Sequence, residues 1–352
     1  MTAPSGSGPS ALNVGALAQF MRANGIATPH ALSLTRLTGG QSNPTYRVTG
    51  ADRVCVLRQK PLGDLLPSAH AIEREARVMK ALRQSDVPVP EVYAYCDDVS
   101  IVGAPFYLME FLDGRVLVDQ GLPGMTGQER AAIYDEMNRV IASLHRVDVA
   151  AMGLSDFGKP SNYFARQIAR WTRQYRESFT ESIGAMDRLM EWLPERIPLG
   201  ERTAVVHGDY RLDNLVFDHS SARVLGVIDW ELATLGHPLA DFSYHCMSWH
   251  IPAALWRGIG GLDLDALAIP QEAQYRRRYA ERTGIDGIDE HWDFYLAFNL
   301  FRMAAILQGI ARRARDGNAA SADAAQTGEK ARPLADLAWD AARRYDAGRA
   351  GT

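Results

Sequence analysis

Val205-Val206-His207-Gly208-Asp209-Tyr210-Arg211-Leu212-Asp213-Asn214-Leu215-Val216-Phe217, followed shortly by Val227-Ile228-Asp229-Trp230-Glu231, is the stretch on which the fold turns. The β-prone pairs Val205-Val206 and Val227-Ile228 each predict a short strand that delivers a polar cluster at its end, and Leu215 to Phe217 predicts a third strand between them. Aspartates also serve in plain turns and helix caps. Two such clusters, in this order and with strand patterning around both, point instead to a built site.

Asp209 and Asn214 stand five positions apart, the spacing of aspartate and asparagine in the kinase loop H-R-D-x-x-x-x-N. Phosphoryl transfer needs both types. An aspartate beside the acceptor hydroxyl orients it and takes its proton, while an asparagine oxygen and a second aspartate hold the magnesium ions that neutralise the moving phosphate. Asp229 is the candidate second aspartate. On His207-Gly208-Asp209 with Asn214, then Ile228-Asp229-Trp230-Glu231, the chain resembles the aminoglycoside phosphotransferase family, choline-kinase-like relatives of protein kinases that phosphorylate small-molecule hydroxyls. The likeness runs from about Leu34 to about Gly309 and is greatest to the branch fused to acyl-CoA dehydrogenases in larger proteins.

A chain of 352 residues exceeds one typical core, so two lobes are expected. An apolar fraction of 47% is ample to fill them. Net charge of −4 without basic blocks implies no nucleic-acid surface. Cys55, Cys96 and Cys246, odd in number and far apart, disfavour a disulfide framework or zinc site and fit a reducing cytoplasm. No run of about eighteen apolar residues suggests a membrane span. Residues 1–10, rich in Ser, Gly and Pro, read as a disordered tail.

Residues 11–112 are expected to form a nucleotide-binding lobe. Leu12, Ala16, Leu17 and Phe20 recur at helical spacing before an Asn24-Gly25 stop. Leu34 to Leu37, Tyr46 to Val48 and Val54 to Leu57 read as strands. The first turn carries Gly39, Gly40, Gln41, Ser42 and Asn43: glycines let the backbone approach a phosphate, and the polar groups can bond its oxygens. It lacks the kinase G-x-G-x-x-G, and its polar content also suits an ordinary hairpin. Alternation puts Arg58 on the face of Val54 and Val56. The family's more familiar residue here is lysine; the resemblance to the dehydrogenase-linked branch implies an arginine that contacts phosphate. In a helix from about Ala69 to Arg83, Glu75 falls on the buried stripe of Ile72, Ala76, Met79 and Leu82, where a carboxylate needs a partner. The resemblance makes that partner Arg58. Val92 to Tyr95 and Phe106 to Leu112 read as two further strands, and the resemblance implies a hinge whose backbone around Glu110 and Leu112 holds adenine.

Residues 113–352 are expected to form a helical catalytic and substrate lobe. Thr126 and Glu129 spell a capping box that opens a helix ending near His145, a structural histidine. Further helices are expected at 162–177, 185–193, 274–282, 291–314 and 333–345, with 319–328 as a loop. Tyr163, Arg166, Gln167 and Arg170 read as a solvated face near the acceptor, by the resemblance. His207 is expected to buttress its turn, Arg211 to neutralise the transferring phosphate, Asp213 to assist, and Asp241 to hold the loop. The spacing in Tyr244 to His250 matches no metal-binding pair.

The expectation is therefore an α+β, bilobal, protein-kinase-like fold with a five-stranded antiparallel sheet. Its implied reaction is Mg²⁺-assisted transfer of the ATP γ-phosphoryl group to a small-molecule hydroxyl, a hydroxyacyl compound among the candidates. Asp209 and Arg211 would be catalytic, Asn214 and Asp229 would bind metal, and an acyl-CoA dehydrogenase is a conceivable partner. Two rival readings are a nucleotide-binding regulator impaired in catalysis and a protein labelled an acyl-CoA dehydrogenase through its fused relatives. Arg58 in place of lysine favours the first; no flavin-type segment supports the second.

Overall fold

The computed structural model describes residues 12–26, 32–37, 43–61, 71–317 and 323–350. The chain forms two compact units: Met1–Gln84 with Val89–Asp113, and Ser85–Pro88 with Gly114–Thr352. Gly39, Gly40, Gln41 and Ser42 lie outside the described residues, as do 1–10 and the first part of the helix expected from Ala69.

The first unit contains α1 (Val14–Ala23), β1 (Ser33–Arg36), β2 (Thr45–Thr49), β3 (Val54–Gln59), α2 (Ile72–Leu82), β4 (Val92–Cys96), α3 (Val99–Val102) and β5 (Phe106–Glu110). The strands pair antiparallel throughout in the order β1-β2-β3-β5-β4. Alternation sorts their two faces. Val48, Cys55, Leu57, Phe106 and Leu108 pack with Leu17 and Met21 of α1, while Arg58 and Tyr107 point to the opposite face, toward Glu75 of α2. Both faces of β3 are thus covered, and a charge on it needs a partner.

The second unit holds β6 (Arg115–Val116), α4 (Gly127–His145), α5 (Tyr163–Glu177), α6 (Gly184–Glu195), β7 (Ala204–Val206), β8 (Leu215–Phe217), β9 (Val224–Val227), β10 (Thr234–Gly236), α7 (Pro238–Cys246), α8 (Leu264–Leu267), α9 (Glu272–Thr283), α10 (Trp292–Arg315), α11 (Ala324–Glu329) and α12 (Ala331–Ala350). The capping box is present: the Thr126 hydroxyl accepts from Glu129 N–H, and the Glu129 carboxylate accepts from Thr126 N–H. The loop expected at 319–328 is corrected in its second half, where residues 324–329 are helical and pack on α10 and α12. Ala, Gln and Glu suit a helix once a neighbouring surface is there to cover it. By length and composition α10 could cross a membrane, but 83% of its apolar window is buried within the protein. It is a core helix, packed by α5, α7, α11 and α12.

Two small sheets position the polar turns. β7 pairs with β10, and β8 lies between β6 and β9. The chain therefore leaves β7, makes one turn into β8, returns on β9, and makes a second turn into β10 beside its starting point.

Candidate active site

Gly208 opens the first turn at φ +80°, and a Cβ there would stand 2.8 Å from the Leu232 carbonyl oxygen, so the two turns meet backbone to backbone. Two further bonds join them. Ile228 N–H donates to the Asn214 carbonyl at 3.0 Å. His207 Nδ1 accepts from Asp209 N–H at 3.2 Å, which leaves its Nε2–H to donate to the Ile228 carbonyl at 3.0 Å. The buried His207 thus fixes the backbone and has no free nitrogen for proton transfer.

Behind the first turn lies Asp241 of α7. Its carboxylate accepts from His207 N–H at 2.7 Å and Gly208 N–H at 2.9 Å, and His145 Nε2 stands 3.2 Å away. Burial alone would raise its pKa; the bond and charge of His145, then His207, outweigh it and hold Asp241 below the ordinary aspartate value. His145 in turn contacts the Tyr279 hydroxyl at 2.6 Å. A buried anion therefore organises the loop that presents Asp209.

Asp209 is held by three donors. Asn214 Nδ2 reaches its Oδ2 at 3.0 Å and its carbonyl at 2.8 Å; Arg211 Nε reaches Oδ2 at 3.2 Å; and the Tyr244 hydroxyl donates to Oδ1. Burial, then the Asp209 charge, pushes the Tyr244 phenol well above its ordinary pKa, so it stays a donor. Sequence reasoning missed Tyr244, since every residue of α7 is buried and a tyrosine there reads as core. Arg211 also lies 3.3 Å from Asp213, which pairs with Arg257 at 3.2 Å. Burial opposes the Arg211 charge, but Asp209, Tyr244, Asp213 and Asp229 together raise its pKa. The same electrostatic coupling ties Asp229 to this group. Asp229 sits at φ 67°, ψ 59°, a left-handed conformation that is uncommon outside glycine and is retained where a side chain must be aimed.

Among the described residues no group of three or more His, Cys, Asp and Glu forms an all-protein metal cage. Mg²⁺ needs none, because it takes one or two protein oxygens and completes its shell with phosphate and water. Asn214 and Asp229 fit that pattern: the Asn214 amide hydrogens are committed to Asp209, so its Oδ1 is the atom available to a cation. His245 and His250 instead bond Tyr275 and Glu272, both at 2.8 Å. A cavity of about 680 Å³ lined by Arg202, His237, His291 and Tyr345 includes none of Asp209, Asn214 or Asp229. A recess of about 40 Å³ does adjoin the turn, lined by Arg211, Tyr244, Met247, Trp256, Arg257 and Met303.

In the first unit Arg58 Nε lies 2.9 Å from Glu75 Oε2, with side chains 9% and 1% exposed, so the pair is a buried one. The Tyr107 hydroxyl donates to the same carboxylate at 2.9 Å. Asn43, expected to offer its amide to phosphate, is 1% exposed and donates its side-chain amide to Glu75 Oε1 at 2.9 Å, one of the partners this buried carboxylate needs. Glu110 N–H donates to the Glu91 carbonyl, and its carboxylate accepts from Glu91 N–H. Leu112 follows β5 outside any regular element and is partly exposed.

Residues 33–298 match the family model described as the phosphotransferase enzyme family. Mouse acyl-CoA dehydrogenase family member 10 is 50% identical over 311 residues, covering 88% of this chain and 29% of that protein. The chain thus spans less than half the length of the curated relatives it matches. A crystal structure from Ralstonia eutropha JMP134, described as a candidate aminoglycoside phosphotransferase, is 55% identical with TM-score 0.86, covering 94% of this chain and 98% of that one. A thermostable mutant of aminoglycoside phosphotransferase APH(4)-Ia, solved with ADP and hygromycin B, shares the fold at TM-score 0.59 and 16% identity, covering 92% of this chain and 98% of that one.

Proposed function

The chain belongs to the phosphotransferase enzyme family, and from that premise we propose that it transfers the γ-phosphoryl group of ATP to a hydroxyl of a small molecule with the help of Mg²⁺. The observation that carries this reading is the Asp209 carboxylate, fixed by Tyr244, Asn214 and Arg211 on a turn tied down by Asp241. A carboxylate so held can accept the proton of an acceptor hydroxyl as that oxygen bonds to the γ-phosphorus and the bond to the β-phosphate oxygen breaks. Arg211, already beside Asp209, can balance charge on the transferring group. Asn214 Oδ1 and Asp229 would hold Mg²⁺, which when bound neutralises phosphate charge and fixes its geometry.

Arg58, held by Glu75, would orient the triphosphate, and backbone groups near Glu110 and Leu112 would hold adenine. The ADP seen in the fold-level neighbour supports an adenine nucleotide. A hydroxyacyl acceptor is favoured by the names of the longer relatives. Replacing Asp209 by Ala should abolish ATP-dependent phosphorylation across a panel of hydroxy compounds while leaving nucleotide affinity, measured by calorimetry, nearly intact. Wild-type turnover in that variant would end the assignment.

A further inference from the structure

Arg302 of α10 is 6% exposed and lacks a carboxylate partner among the described residues. One of its nitrogens donates to the Gly208 carbonyl at 2.6 Å, and its guanidinium carbon lies 5.0 Å from the centre of the Tyr244 ring and 5.4 Å from that of Trp171. Those contacts leave its buried Nε with no acceptor. The Trp171 indole N–H, on a residue 5% exposed, has none either. A second cation comes to the same indole: the Arg170 guanidinium carbon stands 5.1 Å from its centre. Desolvation of the part of Arg170 that packs on the ring comes first, and the charge of Arg302 second, in lowering the Arg170 pKa.

Stacking on Tyr244 and Trp171 accounts for holding Arg302 in place. It does not account for two cations at one ring beside two buried N–H groups without acceptors. Donors and positive charge without acceptors are the complement of an oxyanion. The cluster also has a definite relation to the reacting group, since Arg302 bonds the residue before Asp209 and stacks on the tyrosine that donates to Asp209. We propose that Arg302, Arg170 and the Trp171 N–H form a subsite for an acid group, carboxylate or phosphate, carried by the acceptor whose hydroxyl faces Asp209. This rests on the phosphotransfer reading and narrows it: the acceptor is a hydroxylated acid, and a polycationic aminoglycoside is repelled.

The test has a binding arm and a kinetic arm, both on the full chain. Calorimetry with inorganic phosphate compares wild type with Arg170→Gln, which changes an exposed side chain, and Trp171→Phe, which keeps an aromatic ring and removes the N–H. Each variant should bind phosphate about tenfold more weakly, the loss of one charge-assisted contact. In turnover, hydroxy acids should be preferred to their primary amides, and Arg170→Gln should raise KM for the acid about tenfold with kcat unchanged and the amide unaffected. Equal phosphate binding in all three proteins, or equal use of acid and amide, overturns the subsite. Phosphate binding that responds to both variants, in a protein that phosphorylates nothing, upholds the oxyanion site and removes the phosphotransfer reading instead.

Discussion

Asp241→Asn is the sharpest probe of how the fold holds Asp209, the carboxylate proposed to react. The wild-type side chain accepts from His207 N–H at 2.7 Å and Gly208 N–H at 2.9 Å, and meets His145 at 3.2 Å, all at a residue 3% exposed. Asparagine keeps one oxygen and turns its NH₂ toward a backbone donor. One buried N–H is then orphaned, at about 1–3 kcal/mol, and the surviving bonds lose the charge that made each worth about 1.5–3 kcal/mol. The sum is about 3–5 kcal/mol, the range seen when one member of a buried charged pair is removed. In a unit of this size that lowers the melting temperature by at least about 6 °C. Asp209 is the next residue along the loosened turn, and a displacement of about 1 Å costs roughly a hundredfold in rate. Differential scanning fluorimetry and a coupled ADP-release assay measure both. A variant with unchanged melting temperature and unchanged turnover would refute the claim that this anion organises the loop.

Gly208→Ala should lower turnover at least about tenfold, because a Cβ at φ +80° meets the Leu232 oxygen at 2.8 Å and the strain of about 1–3 kcal/mol falls beside Asp209; normal kinetics would show that the turns yield without cost. A double-mutant cycle on Arg58 and Glu75, read by urea unfolding, should give a coupling above about 1 kcal/mol, and additivity would mean that their 2.9 Å approach contributes nothing to stability. Stability should also fall with acid. Burial lowers the pKa of His237 and of His245 to about 4, with Arg202 and His145 adding to the effect at His237 and Asp241 opposing it at His245. Below about pH 6.5 the unfolded chain protonates first, so each group removes stability as pH falls toward 4, up to about 3 kcal/mol apiece. Thermal unfolding followed from about pH 7 to 5 tests this, and a flat profile, once Asp and Glu titration is allowed for, rejects it.

What the sequence disclosed and what it withheld divide along a physical line. Arg58 and Glu75 were legible because each periodicity is local: period two puts Arg58 on the face of Val54 and Val56, and the helical stripe puts Glu75 among apolar neighbours. The charges then had to find each other. Asn43 and Tyr107 complete that cluster, 32 residues to either side of Glu75, and no local pattern distinguishes a strand tyrosine that bonds a carboxylate from one that fills a core. Asp209, Asn214 and Asp229 were legible as a constellation, while Tyr244, 35 residues beyond Asp209, was not. Nor could the face of α5 be sorted from sequence. Arg170 is exposed as a solvated face requires, yet it shares Trp171 with an arginine that enters from α10, over a hundred residues later. The groups proposed to bear the chemistry were written in neighbouring turns; Tyr244 and Arg302, which bond or stack around that turn, arrive from distant helices, and only tertiary packing brings them there. Substitutions at Tyr244 and Arg302 should therefore alter rate or acceptor choice while leaving the local secondary structure around Asp209 intact, a separation that circular dichroism beside kinetics can measure directly.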